Sequence, residues 1–182
     1  CYYVWLLDNN IDQNEVLKTV DTCISGGNDE SDCTNPQAVN YNPNASIDDG
    51  SCFYATEIPI ASGWNWISTN ILNQDMSLDN TLNSASPNIS YIKNQNAFSD
   101  YYAGFGWWGS LESINLTSMY KLLSSAQDTI TYLGIEVSPS LSPIDIASGW
   151  NWIGFPLLNP IAINTALVTI DGSGVYIKNQ VV

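Results

Sequence analysis

The chain of 182 residues contains no histidine and no arginine. Without His, the usual base beside a serine or cysteine nucleophile is missing, so Ser-His and Cys-His catalysis are excluded. With no Arg, and four Lys against 18 acidic residues, the formal charge is −14. Such a polyanion cannot neutralise a phosphate backbone, and no nucleic acid is expected as a partner. Charged residues make up only 12% of the chain, so polarity rests on Asn, Ser and Thr, which favour strands and turns over long charged helices. No apolar run approaches the roughly 20 residues that cross a bilayer as a helix, so no membrane span is expected. No secretory leader is visible, but the chain opens at Cys1 and not Met, as a processed or excerpted chain would. Cysteine is absent after residue 52.

Against these absences stand seven Trp and ten Tyr within a 45% hydrophobic composition, ample for a core. Part of that wealth is repeated. Ser62-Gly63-Trp64-Asn65-Trp66-Ile67 recurs as Ser148-Gly149-Trp150-Asn151-Trp152-Ile153, an offset of 86 residues. Tyr91-Ile92-Lys93-Asn94-Gln95 recurs as Tyr176-Ile177-Lys178-Asn179-Gln180, an offset of 85. Two separated blocks at nearly one spacing define a tandem module of about 85 residues. The first copy continues past Gln95 into an aromatic run and a strand-like tail, whereas the second stops at Val182 and reads as incomplete. The expected organisation is a strand–helix segment at 1–25, with a strand at Tyr2–Leu7 and a helix at Asp12–Ile24. A disulfide-tied loop at 26–54, a first β-rich module at 55–134, a linker at 135–143 and a partial module at 144–182 follow. The fold class is mainly β with short helices (α+β).

Cys1, Cys23, Cys33 and Cys52 are even in number and lie in a Gly/Asn/Asp-rich region, which reads as disulfides formed in an oxidising compartment. Zinc is disfavoured, because no C-x₂-C pair and no His is present. Cys33–Cys52 is the preferred bridge and Cys1–Cys23 the remainder, although four cysteines allow three pairings. Between Cys33 and Cys52, Asn40, Asn42, Asn44, Ser46, Asp48 and Asp49 crowd oxygens into ten residues. That density suits Ca²⁺, although the spacing is not that of an EF-hand. The structural alternative is that these side chains cap turns. The whole run Cys33 to Cys52 resembles a short C-T-x-P-x-A-x-N-Y-x-P-x-A-x-x-D-D-G-S-C element of large secreted proteins of marine bacteria, especially Bacteroidota. That resemblance implies a spacer or repeat of the cell exterior, with no enzymatic role.

In the first module, Ile58, Ile60, Trp64, Trp66 and Ile71 alternate with small or polar residues, the pattern of half-buried strands. Asp75 to Leu82 predicts a short helix, Ile89 to Lys93 a strand, and Met119–Leu123 with Asp128–Leu133 a closing hairpin. Phe98, Tyr101, Tyr102, Phe105, Trp107 and Trp108 form the densest aromatic stretch. They are expected mainly to fill the core against Trp64 and Trp66; in the alternative reading Tyr101, Tyr102, Trp107 and Trp108 bind a carbohydrate. The module resembles tandem repeats of the same class of bacterial surface proteins (G-W-N-W-I-S, I-K-N-Q, G-W-x-G-x-L, M-Y-K-L), and no catalytic residue is implied.

No P-loop, dinucleotide fingerprint or metal-hydrolase helix is present, so no enzyme is expected. The function expected is that of a non-catalytic subunit of an extracellular surface fibre, filament or adhesin. Assembly would proceed by strand exchange, with Trp150, Trp152, Val175, Tyr176 and Ile177 as an open edge and Tyr2, Tyr3, Val4 and Trp5 as a candidate donor strand. A carbohydrate-binding module contacting surface glycans and a calcium-dependent adhesin are the alternatives.

Overall fold

A computed structural model describes residues 30–138, 142–157 and 159–180. The expected strand at Tyr2–Leu7, the helix at Asp12–Ile24 and the Cys1–Cys23 bridge lie outside the described residues.

The chain is predominantly β, as its composition predicts. Strands β1 (Glu30–Asp32) and β2 (Ala45–Asp48) pair in parallel, and the Cys33–Cys52 disulfide closes the loop that follows β1 and carries β2. In the chain-entropy picture a loop of this length stabilises by about 3 kcal/mol. The loop is not a separate unit, because Cys33 and Ala38 are buried in the same apolar cluster as the module that follows. Two hydrogen bonds reinforce the join, from Asn35 Nδ2 to the Tyr54 hydroxyl (2.8 Å) and from the Val39 amide to the Phe53 carbonyl (2.8 Å).

The first module is two sheets on one core. The three-stranded sheet has the order β3–β10–β5, from β3 (Tyr54–Ile60), β10 (Asp128–Glu136) and β5 (Ile71–Leu72). The five-stranded sheet has the order β4–β9–β6–β7–β8, from β4 (Gly63–Ile67), β9 (Tyr120–Ser124), β6 (Ile89–Lys93), β7 (Phe98–Tyr102) and β8 (Gly106–Gly109). Helix α1 (Leu78–Thr81) and a 3₁₀ turn (Asn83–Ala85) bury Leu78, Leu82 and Ala85 in the same core. Ser77 caps α1, its Oγ accepting from the Asn80 amide at 3.3 Å. Among the described residues, every buried residue of the apolar cluster lies between Cys33 and Tyr132, so the core sits in this part of the chain.

The expected hairpin of residues 119–123 and 128–133 does not form. Both segments are strands, but β9 pairs with β4 and β6, while β10 pairs with β3 and β5. The short link Ser125–Gln127 therefore crosses from one sheet to the other. Strand β10 also runs to Glu136, two residues past the expected module end, because Ile135 and Glu136 pair with Leu72 and Ile71.

The second module, expected as β-rich, repeats the turn, helix and 3₁₀ segment of the first, but among its described residues no strand forms where the first has β4 and β6. Helix α2 (Ile163–Ala166) and the 3₁₀ turn Val168–Ile170 match α1 and its 3₁₀ turn at the 85-residue offset. The turn before the tryptophans also repeats, with Gly63 and Gly149 at φ 97° and 95°. Burial does not repeat. Ile60, Leu78 and Ile92 are 2%, 1% and 0% exposed, whereas their counterparts Ile146, Ile163 and Ile177 are 44%, 50% and 53% exposed.

Candidate functional site: aromatic face and module interface

The outer face of the five-stranded sheet follows from strand period. Inward, Asn65, Leu122, Ile92 and Ser99 stand opposite one another across β4, β9, β6 and β7, and all are buried. This row ends at Gly109 of β8, where a Cβ would lie 2.2 Å from the Phe98 carbonyl oxygen. The adjacent row, Trp64, Leu123, Tyr91, Asp100 and Trp108, crosses all five strands on the opposite face. Trp64 meets Tyr91 edge-on (centroids 5.8 Å) and Tyr91 stacks with Phe98 (5.9 Å). Trp64, Tyr91, Lys93, Asp100 and Leu123 line a shallow open groove.

At the β7–β8 turn, Tyr102, Phe105 and Trp108 line a second groove. Gly104 and Gly106 adopt φ 83° and 82°, the left-handed conformation this turn needs. The expectation that the aromatic stretch mainly fills the core is overturned: Phe98, Tyr102, Phe105 and Trp108 are exposed, Phe105 at 81%. Trp107 packs against the core, and Tyr101 lies against it with centroids 5.1 Å apart. The reason is parity. Neighbouring strand residues point to opposite faces, and β6 and β9 already fill the inner face with Ile92 and Leu122. Of the four candidate ligand residues, Tyr102 and Trp108 reach solvent, while Tyr101 and Trp107 are half-buried.

The two modules meet through reciprocal contacts. Gln95 Nε2 donates to the Trp150 carbonyl (3.0 Å), and its Oε1 accepts from the Trp152 amide (2.8 Å). Gln180 does the same in the other direction, Nε2 donating to the Trp64 carbonyl (2.7 Å) and Oε1 accepting from the Trp66 amide. Beside this, residues 152–154 pair with 117–119: the Met119 amide donates to the Trp152 carbonyl (3.2 Å) and the Gly154 amide to the Thr117 carbonyl (2.8 Å). Lys93 and Lys121 stand opposite each other in the β6–β9 register, a like-charge pair that costs stability. Aromatic rings offset the repulsion. Lys121 Nζ lies 4.8 Å from the Trp66 ring and 4.5 Å from the Trp152 ring, and Lys93 Nζ lies 5.4 Å from Trp152. Lys178 sits likewise over Trp150, at 4.7 Å.

Trp150, Trp152, Val175, Tyr176 and Ile177, expected as one open edge, divide. Trp152 faces the first module, whereas Trp150 is exposed and meets Tyr176 edge-on (6.0 Å). Val175, Tyr176 and Ile177 are exposed, and no β-strand is assigned to them. The donors Tyr2, Tyr3, Val4 and Trp5 lie outside the described residues.

In the disulfide loop, four of the six residues singled out for calcium, Asn40, Asn42, Asp48 and Asp49, turn a side-chain oxygen onto nearby backbone amides. Asn40 Oδ1 accepts from the Phe53 amide, Asn42 Oδ1 from Asn44, Asp48 Oδ1 from Gly50 and Asp49 Oδ1 from Ser51. The Gly50 turn has the left-handed φ (76°) that only glycine adopts freely. Among the described residues there is no group of three or more His, Cys, Asp or Glu side chains that could hold a metal ion. Asp32, outside the expected set, is the hub. It accepts from the Cys33 amide (2.8 Å), Asn42 Nδ2 (3.1 Å) and Ser51 Oγ (3.3 Å), and the Cys33 bond foremost holds its carboxyl below the usual range. Asp75 and Asp128 are lowered in the same manner, by the Ser77 amide and by the Asn88 side chain respectively. These shifts mark turn-capping carboxylates; a general acid needs the opposite shift.

Sequence reasoning used the repeated Tyr-Ile-Lys-Asn-Gln only to define the module and did not single out Gln95, Gln180 or Lys121. The available signal was a polar pentapeptide kept unchanged in both copies. The disulfide suits an oxidising compartment, and among the described residues no helix is long and apolar enough to cross a membrane. No protein family matches this chain, and neither any curated protein nor any solved structure resembles it significantly.

Proposed function

We propose that this chain is a non-catalytic structural protein of the cell exterior, a repeat-built subunit of a surface fibre or adhesin, in which strands from a neighbouring copy complete the second module. The observation that carries this reading is the contrast between the repeats: the same turn, helix and 3₁₀ segment form twice, but the apolar positions buried in the first copy, Ile60, Leu78 and Ile92, are exposed in the second, at Ile146, Ile163 and Ile177. In the second copy the first module takes up backbone groups of Trp150, Trp152 and Gly154, and strand alternation sets those of Asn151 and Ile153, whose counterparts Asn65 and Ile67 pair with β9, on the other side. Strand addition at that edge would be head-to-tail, and such contacts propagate into open filaments. The apolar segment Tyr2–Leu7 of a neighbour is the candidate donor. Full-length chain should therefore polymerise with rising concentration, as seen by sedimentation and electron microscopy. Ile177→Lys and Val4→Lys should each prevent it without lowering the melting temperature of the first module. A chain that stays monomeric, or polymers indifferent to both substitutions, would refute the reading.

A second reading, adhesion to glycans, is favoured by the exposed Tyr102, Phe105 and Trp108, since flat rings in an open groove suit sugar faces. Glycan-array binding that disappears in Trp108→Ala and Tyr102→Ala, with the fold intact, would support it; no binding would exclude it.

A further inference from the structure

The glutamine contacts between the modules have a symmetry that strand completion does not require. Gln95 holds the edge at Trp150 and Trp152, and Gln180 holds the edge at Trp64 and Trp66, using the same atoms in both directions. A primary amide carries one carbonyl and N–H donors, so it occupies a strand edge as a neighbouring peptide group would. Every group in the exchange is present in both repeats, including the lysine before each Asn-Gln pair.

We propose that the Trp-Asn-Trp strand edge and the glutamine of Ile-Lys-Asn-Gln together form a self-complementary docking surface. Its partner is a second module carrying both, whether in the same chain or on another copy. The pairing is isologous: each module offers one edge and one glutamine and receives the same. It is therefore saturated within this chain, and it blocks the outer edge of β4 against open-ended strand pairing. It uses the opposite side of the Trp-Asn-Trp segment from the edge invoked for filament growth, so it stands independently of that reading.

Among the described residues the apolar core lies between Cys33 and Tyr132, so a chain ending at Ser138 keeps that core, with one edge and one glutamine that nothing occupies. Two such chains should pair, Gln95 of each on Trp64 and Trp66 of the other. Internal docking benefits from an effective concentration in the millimolar range, so the pairing should be sought up to about 1 mM by analytical ultracentrifugation. Gln95→Glu removes the donor and sets a carboxylate against a carbonyl, and should weaken the dimer by about 10-fold or more. A dimer lost in Gln95→Glu supports the proposal. A monomer at about 1 mM, or a dimer indifferent to Gln95→Glu, overturns it. Should the shortened chain not fold, hydrogen exchange in the full-length protein decides the matter. Gln95→Glu should speed exchange of the Trp152 amide, and Gln180→Glu that of the Trp66 amide, each by about 10-fold. An effect of only one substitution, or of neither, overturns the reciprocity.

Discussion

Asn65 and Asn151 offer a comparison in which sequence and local geometry are matched and only the surroundings differ. Asn65 Oδ1 accepts from the Ala61 amide (2.8 Å), and its Nδ2 donates to the carbonyls of Ala61 (2.8 Å) and Gly63 (3.0 Å). Asn151 makes the same three bonds to Ala147 and Gly149, at 3.0, 2.8 and 3.1 Å. Asn65, however, is 7% exposed and stands beside Leu122 in the buried row, whereas the bonds of Asn151 are open to water. Each intramolecular hydrogen bond contributes about 1 kcal/mol net, and a buried group left unpaired costs more. Asn65→Ala should therefore destabilise the first module by about 2–3 kcal/mol, which for a domain of this size lowers the melting temperature on the order of 10–20 °C. Asn151→Ala should stay within about 0.5 kcal/mol in the same transition, because water replaces the lost partners. Asn65→Asp provides a control. It keeps the acceptor but sets a carboxylate oxygen against two carbonyls, so it should be at least as damaging as alanine. Thermal unfolding of the full-length chain, followed by near-ultraviolet circular dichroism, measures all three. Equal losses at the two positions, or no loss at Asn65, would show that burial does not set the energy of this turn.

Stability should also fall at both ends of the pH scale. Asp32, Asp75 and Asp128 have pKa values lowered by hydrogen bonding, so their contributions are present above the usual aspartate value and lost as pH falls through the folded-state values. Tyr120 and Tyr132 are raised mainly by burial, so theirs are present below the usual tyrosine value and lost as pH rises through the folded-state values. Urea midpoints should be level between about pH 5 and 9 and fall below about 4 and above about 10, with Asp128→Asn flattening the acid limb. A midpoint as high at pH 2.5 as at pH 6 would contradict this account. At Gly154, which stands where the first module has Ser68, an added Cβ would lie 2.4 Å from the Leu116 carbonyl oxygen and 2.9 Å from that of Ser118. Gly154→Ala should undock residues 150–156 from the first module and raise their amide exchange while leaving the main melting transition in place; unchanged exchange there would count against the docking geometry.

Much of the fold is local and can be read from neighbouring residues. Alternation identifies β3 and finds β4 but takes its wrong face as buried, since Asn65 and Ile67 are inside while Trp64 is exposed; the spacing of Leu78 and Leu82 marks the face that α1 buries. The Asp-Asp-Gly-Ser sequence before Cys52 marks the turn that closes the disulfide loop. The hairpin expectation for β9 and β10 failed because each strand has better partners far away in sequence. Adjacency in the chain favours pairing, as in β6–β7 and β7–β8, but does not decide which sheet receives a strand. The aromatic expectation failed for a related reason: a tryptophan on a strand is inside or outside according to register, and register is set across β4, β9 and β6. The repeated Tyr-Ile-Lys-Asn-Gln draws attention to the glutamines but not to their partners, because Gln180 and Trp66 lie 114 residues apart and neither residue type signals the other.

The repeat, the absence of histidine and arginine, the loop cysteines and the turn chemistry are properties of short stretches, and the chain carries them wherever it is placed. Whether a given copy of Ser-Gly-Trp-Asn-Trp-Ile is a core strand or a docked surface segment is not such a property. Identical residues form the same turn twice, yet burial follows only where β9 and β10 lie against them, because removing apolar area from water needs a second surface that no local sequence supplies.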